Sequence, residues 1–219
     1  KPDFKADLDV FCRYSWAAYV TGQVPIGWTQ PATERRAVER LSPITVRGGG
    51  TILFAPPKSA KTFVSMALAL SIQYGVTTIW PVKQANVLYV NLERDEAQMR
   101  QRLLALGEIL GTADLNMLHR RGRSLADVEE TARVMIARDG VGVLFVDSLS
   151  RAGVGDLNEN RPMNQAMDTM NRLCPTWHLV AHTPRADIDH AYGSIMADAA
   201  ADVLVQLVTQ RETRGTLGI

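Results

Sequence analysis

The sequence predicts an α/β fold: a mainly parallel twisted sheet flanked by helices, with a small N-terminal arm. Three observations carry that reading. Strand-like and helix-like runs alternate from Thr51 onward, as expected for parallel strands joined by helical crossovers. Some strand runs are apolar throughout, such as Val143-Leu144-Phe145-Val146, which suits strands buried on both faces. The stretch Thr51–Thr62 reads as an apolar strand, a tight turn, and Lys61-Thr62 opening a helix. That is the layout of a loop whose backbone N–H groups wrap a polyphosphate.

The elements follow in order. Residues 1–47 concentrate aromatics (Phe4, Phe11, Tyr14, Trp16, Tyr19, Trp28) and prolines, and are read as an arm with helices near 6–19 and 32–41, Thr33 capping the second. Gly48-Gly49-Gly50 reads as a flexible joint. The core then spans 48–219, with strands expected at 51–54, 76–80, 86–91, 117–120, 142–146, 177–181 and 203–208. Helices are expected at 61–74, 95–110, 125–138, 162–173 and 194–200. Ligands of such sheets bind beyond the carboxyl ends of the strands, so the polar residues just after each strand are the candidates for chemistry.

Composition sets bounds. The 219 residues carry a formal net charge of +1 and 46% hydrophobic residues, so no global basic bias announces nucleic acid and any such site must be a local patch. Cys12 and Cys174 lack metal-ligand spacing, and a reducing cytoplasmic setting is expected. No apolar run is long enough to span a membrane and no signal peptide is read.

The loop Ala55-Pro56-Pro57-Lys58-Ser59-Ala60-Lys61-Thr62 is a variant of G-x-x-x-x-G-K-[ST], in which the Lys reaches the β- and γ-phosphates and the hydroxyl holds Mg²⁺. Both glycines are alanine here. Ala60 is expected near helical backbone values. The competing reading is a helix starting after a Pro-Pro turn, with Lys61 merely solvated. Asp147 ends the strand at 142–146 and suits a Mg²⁺-site acid. Glu93 follows the strand at 86–91 and suits activation of the attacking water, but spacing alone does not select it over Asp95. His182 and Thr183 end another strand. His178 is read as packing, His119 and His190 carry no signal, and no His/Cys cluster suggests zinc.

Taken in order, the pieces 55–62, 87–93, 144–151, 158–160, 180–185 and 192–194 resemble the RecA-like P-loop NTPase core. The closer resemblance is to the RepA-type hexameric replicative helicases, with RadA, DnaB and KaiC more distant, and it covers roughly residues 45–209. It implies ATP as substrate and Mg²⁺ as cofactor. Glu93 matches the catalytic carboxylate, Asp147 the Mg²⁺-site acid with Thr62, and His182 the residue coupling nucleotide state to a DNA-facing loop. Arg102 falls where relatives carry an arginine near the base. The relatives form rings with ATP at subunit interfaces, so a homo-oligomeric ring, such as a hexamer, is expected, with Arg211 or Arg214 as the finger supplied in trans.

The loops 151–161 and 184–193 would face the ring's centre. Arg151, Arg161 and Arg185 are candidates for phosphates of single-stranded DNA and Tyr192 for base stacking. Three functions stay open: an ATP-hydrolysing motor of DNA replication or recombination; a nucleotide-gated or hydrolysis-deficient scaffold of a DNA-processing complex, which Ala60 favours; and a KaiC-like signalling ATPase, for which no residue here is distinguishing.

Overall fold

The computed structural model describes residues 39–153, 155–184, 191–193, 195–208, 210–211 and 217–218. The predicted helix at 6–19, Thr33, Cys12, Arg185, His190 and Arg214 lie outside the described residues.

Strands β1 (Arg40–Ser42) and β2 (Thr45–Val46) form an antiparallel hairpin, in the stretch where the sequence suggested the end of a helix. The main sheet follows. Its strands are β3 (Gly50–Ala55), β4 (Val87–Asn91), β5 (Met117–His119), β6 (Val143–Asp147), β7 (Trp177–His182) and β8 (Val203–Gln206). All pairings are parallel, in the order β5-β4-β6-β7-β3-β8. Two short strands, β9 (Gln210–Arg211) and β10 (Leu217–Gly218), pair antiparallel. The helices are α1 (Lys61–Tyr74), α2 (Glu96–Leu110), α3 (Leu125–Asp139), α4 (Leu149–Ala152), α5 (Asn160–Leu173) and α6 (Met196–Ala200).

Period-two alternation sorts the side chains onto two faces. Ile52, Phe54, Leu88, Val90, Leu144, Val146, Leu179 and Ala181 enter one core with residues of α3 and α5. Val87, Tyr89, Val143 and Phe145 enter the other, with α1 and α2. By the same alternation Asn91 and Asp147 share the α1 face, as do His178, Val180 and His182. Eleven of the fourteen residues of α1 are buried, so its first turn is fixed firmly beneath the rim. On α5, Met163, Ala166, Met167, Met170 and Leu173 are buried, the spacing of an apolar helical stripe.

Helix ends follow from sequence. Asp95 caps α2 by accepting from Ala97 N at 2.9 Å. Ser124 and Asp127 form a reciprocal capping box on α3. Gly75, Gly111 and Gly140 close α1, α2 and α3 with positive φ.

Two expectations are corrected. No strand forms at 76–80, which is irregular chain. Trp80 and Val76 pack against the α1–α2 core instead, so burial rather than pairing explains their apolar character. The Gly48–Gly50 triplet is no loose joint. A Cβ on Gly50 would lie 2.1 Å from the Trp177 ring and one on Gly49 2.8 Å from the Asp202 carboxylate. Gly50 N also donates to Asp202 Oδ2 at 2.8 Å. Gly49 and Gly50 are there for close packing where the chain joins the sheet, whereas Gly48 has open space around it and a φ of 76°.

The hairpin is tied to the sheet by a buried polar contact. Thr45 Oγ1 lies 2.7 Å from His178 Nε2, and the imidazole stacks on Phe145 with centroids 4.6 Å apart. Burial drives the His178 pKa down to about 3, so it is neutral at pH 7. His178 is a packing residue, as its sequence context suggested.

Candidate functional site

Strands β3, β4, β6 and β7 end on one rim, over a cavity of about 490 Å³. Lys58, Ser59, Ala60, Lys61, Thr62, Glu93, Arg102, Asp147 and His182 all line it. The structure thus brings together residues that the sequence scatters over more than 120 positions. Ala55 is the buried last residue of β3, and Pro56 and Pro57 are the exposed start of the loop. Phe63, Arg94 and Val180 join the lining.

The loop has an unusual backbone. Lys58 and Ala60 take φ of 67° and 61°, in the left-handed region where a Cβ costs about 1–2 kcal/mol per residue. Ala60 is therefore not near right-handed helical values, which corrects the expectation. The turn needs the glycine-like conformation, and the chain supplies it with alanine. Ser59 Oγ donates to Pro56 O at 2.7 Å and braces the turn.

Lys61 is buried under this loop. Its Nζ donates to Ala55 O and Pro56 O, both at 2.8 Å. Burial lowers its pKa to about 8, while Asp147 and Glu93 pull the other way; the ammonium stays mainly protonated at pH 7. The reading of Lys61 as merely solvated is excluded, since it is 5% exposed.

Asp147 is 1% exposed. Burial raises its pKa above the ordinary carboxylate value, against hydrogen bonds from Thr62 and Tyr89. The Tyr89 hydroxyl donates to Oδ2 at 3.2 Å. Tyr89 is fully buried and stacks on Phe145, so a rigid ring sets the carboxylate's position beside Thr62. These are hard oxygen donors at the edge of a cationic loop, a set suited to Mg²⁺ in its hydrated, phosphate-bound form. Among the described residues no cluster of three or more His, Cys, Asp or Glu could hold a metal without a ligand's help.

Asn91 separates the surroundings of Glu93 and Asp95. Its Oδ1 accepts from Arg94 N at 2.9 Å and from Glu93 N at 3.3 Å, and its Nδ2 donates to Arg94 O at 2.8 Å. This side-chain-closed turn swings Glu93 to the cavity and leaves Asp95 to cap α2. Glu93 Oε2 accepts from the Ser148 hydroxyl, and His182 Nε2 lies 3.7 Å from it. These neighbours hold the carboxyl down to about 2, His182 first and Ser148 next, against burial. Ser148 Oγ is 2.9 Å from Ser150 Oγ; with its proton given to Glu93, Ser148 accepts there. Arg94 Nη2 is 3.6 Å from Glu93 Oε1.

The two predicted DNA loops meet. Tyr192 N donates to His182 O at 2.6 Å, and Asn158 Nδ2 donates to Tyr192 Oη at 3.1 Å. Gly193, at φ 116°, leaves no room for a Cβ against Met163 and the Leu157 carbonyl. Arg151, Arg161 and Tyr192 are exposed. Arg211 falls in β9, but its side chain lies outside the described residues.

Sequence reading missed Ser148, Tyr89, Asn91 and Arg94. Asn91 carried a signal, since Asn at a strand end favours a turn closed by its own side chain. Tyr89 carried none, because its polar tip became informative only once Asp147 was seen on the neighbouring strand.

The six-stranded parallel sheet, its flanking helices and the Lys-Thr loop over the strand ends define a P-loop nucleotide-binding ATPase with a RecA-like fold. The model for the AAA domain matches residues 21–186, and the chain belongs to that family. No curated protein matches it. No helix among the described residues is long and apolar enough to cross a membrane.

Proposed function

We propose that this protein is an ATP-hydrolysing motor acting on single-stranded DNA in replication or recombination, of the RepA-like helicase type, working as a homo-oligomeric ring. The observation that carries the ATPase reading is the convergence of Lys61, Thr62, Glu93 and Asp147 on one cavity. The loop N–H groups and the Lys61 ammonium would take the phosphates, with Arg102 toward the base. Thr62 and Asp147 would hold Mg²⁺, which supplies charge neutralisation at the phosphates when bound.

Glu93 is the candidate base. Held ionised near neutral pH, it orients a water and takes up its proton as attack proceeds. Its low pKa makes it a weak base, so positioning of the water matters more than basicity. His182, beside Glu93 and bonded through its carbonyl to Tyr192, is suited to pass the state of the site to the loops. Arg151, Arg161, Arg185 and Tyr192 are the proposed DNA contacts of those loops.

The decisive experiment measures ATP turnover with and without single-stranded DNA. Stimulation by DNA, together with binding that weakens steeply as salt rises, supports the motor. Equal turnover in both conditions counts against it. Two observations favour a scaffold instead: Lys61 is engaged by loop carbonyls, and two strained non-glycine residues shape the loop. A Lys61→Ala variant indistinguishable from wild type in every assay would support that second reading.

A further inference from the structure

A second cationic site stands beside the nucleotide cavity. The turn after β5 reads Arg120-Arg121-Gly122-Arg123, three exposed arginines in four residues. Among the described residues, none of the three, nor Arg151, forms an ion pair with an acid, whereas Arg100, Arg133 and Arg138 each do. The acid that follows the turn, Asp127, accepts from Ser124 N and Oγ at 2.9 Å each in the capping box. It stays a carboxylate whose charge is felt by Arg123, so it offsets part of the turn's positive charge without forming an ion pair with it.

This turn and the segment of α4 and Gly153 border a cavity of about 330 Å³ lined by Gly122, Arg123, Ser124, Asp127, Ser150, Arg151 and Gly153. Its two walls hang from the two strand ends of the nucleotide site. Arg120 N donates to Asn91 O and Gly122 N to Leu92 O, both at 2.9 Å, and Glu93 follows directly. On the other side, Ser150 Oγ meets Ser148 Oγ, which holds Glu93, and Arg151 is the next residue.

We propose that this arginine turn, with Arg151, is a backbone-binding track for single-stranded nucleic acid. The inference rests on the proposed action on DNA and adds Arg120, Arg121 and Arg123 as phosphate contacts at a site distinct from the 184–193 loop. Arginine fits this role because its planar fork bonds phosphate oxygens bidentately. Arg123 and Arg151 line the cavity, and exposed Arg120 and Arg121 precede Arg123 in the same turn, the Arg120 guanidinium donating to His119 O at 2.9 Å. A row of arginines suits an extended row of phosphates more than a single anion. Contacts to phosphates carry no sequence information directly, so a backbone track of this kind is sequence-independent. Because the walls are bonded to the residues flanking Glu93, occupancy of the track bears on the position of Glu93.

The test compares three proteins binding a fluorescently labelled mixed-sequence 20-nucleotide single strand, in the presence of a non-hydrolysable ATP analogue. They are the wild type, the triple variant Arg120→Gln/Arg121→Gln/Arg123→Gln, and a charge-matched triple variant Arg100→Gln/Arg133→Gln/Arg138→Gln on the ion-paired helices. The expected result is at least about a tenfold weaker affinity for the turn variant and a log–log salt slope shallower by about 2, from three contacts at about 0.7 each. The control variant should bind within about twofold of wild type. Thermal unfolding at the wild-type midpoint shows that the turn variant is folded. Equal losses in the two triple variants, or wild-type affinity in the turn variant, overturn this inference and leave the motor reading intact. A wild-type protein with no affinity for the strand overturns both.

Discussion

The Ser148 hydroxyl donates to Glu93 Oε2, so a residue that directly follows the buried Asp147 restrains the carboxylate at the end of the adjacent strand. Glu93 is thereby ionised and aimed, at the expense of basicity. Replacing it by Gln, which keeps the shape and the contact to Ser148, should lower ATP turnover about 10²–10⁴-fold while leaving nucleotide binding close to wild type. A coupled phosphate-release assay beside a fluorescent-nucleotide titration separates the two effects.

Removing the Ser148 bond should raise the Glu93 pKa, since that bond lowers it. For Ser148→Ala, the acid limb of the turnover–pH profile moves to higher pH. An unmoved limb with reduced turnover would assign Ser148 a purely structural part.

Lys61→Ala removes the loop's buried cation and leaves Ala55 O and Pro56 O without their Nζ donor. Nucleotide affinity should fall by roughly 10- to 100-fold, in keeping with charge-assisted contacts worth about 1.5–3 kcal/mol. Titration with a fluorescent ATP analogue, with and without Mg²⁺, reads this directly.

Ala60→Gly relieves a left-handed alanine at φ 61°. The relief of about 1–2 kcal/mol is offset by about 0.4–1 kcal/mol of extra chain entropy in the unfolded state. The net expectation is a gain of about 0.5–1 kcal/mol in urea unfolding. A loss would mean that the Ala60 methyl makes packing contacts worth more than the strain.

Acid should destabilise the fold in two windows. His178 has a folded pKa of about 3, depressed below the ordinary 6.5 by burial, so the unfolded chain binds the proton more readily. Its contribution is complete above about 6.5 and lost as pH falls toward 3, about 2 kcal/mol of it between pH 7 and pH 5. Glu93, depressed to about 2, contributes above about 4.5 and loses that contribution only below it. Chemical unfolding at pH 7 and 5 checks this: His178→Gln should flatten the loss between them, an interval in which Glu93 stays mainly ionised in both folded and unfolded chains.

Much of the architecture was legible because its signals are local. Apolar runs such as Val143–Val146 announce buried strands, and α1 begins and ends at the predicted residues. The four strand-end groups were legible for the same reason: each closes an apolar run, and a parallel sheet sends all such ends to one rim. What stayed hidden depended on partners distant in sequence. Gly50 is small because Trp177 lies over it, and Tyr89 matters because Asp147 lies one strand away. The apolar run at 76–80 misled because burial against helices leaves the same trace as burial within a sheet.

The Asn158–Tyr192–His182 chain of hydrogen bonds has a mechanical consequence. Two stretches more than thirty residues apart are harnessed to a single pivot, so a tug at the end of β7 is shared between them. Cutting the Asn158 tether should let one stretch respond while the other stays still.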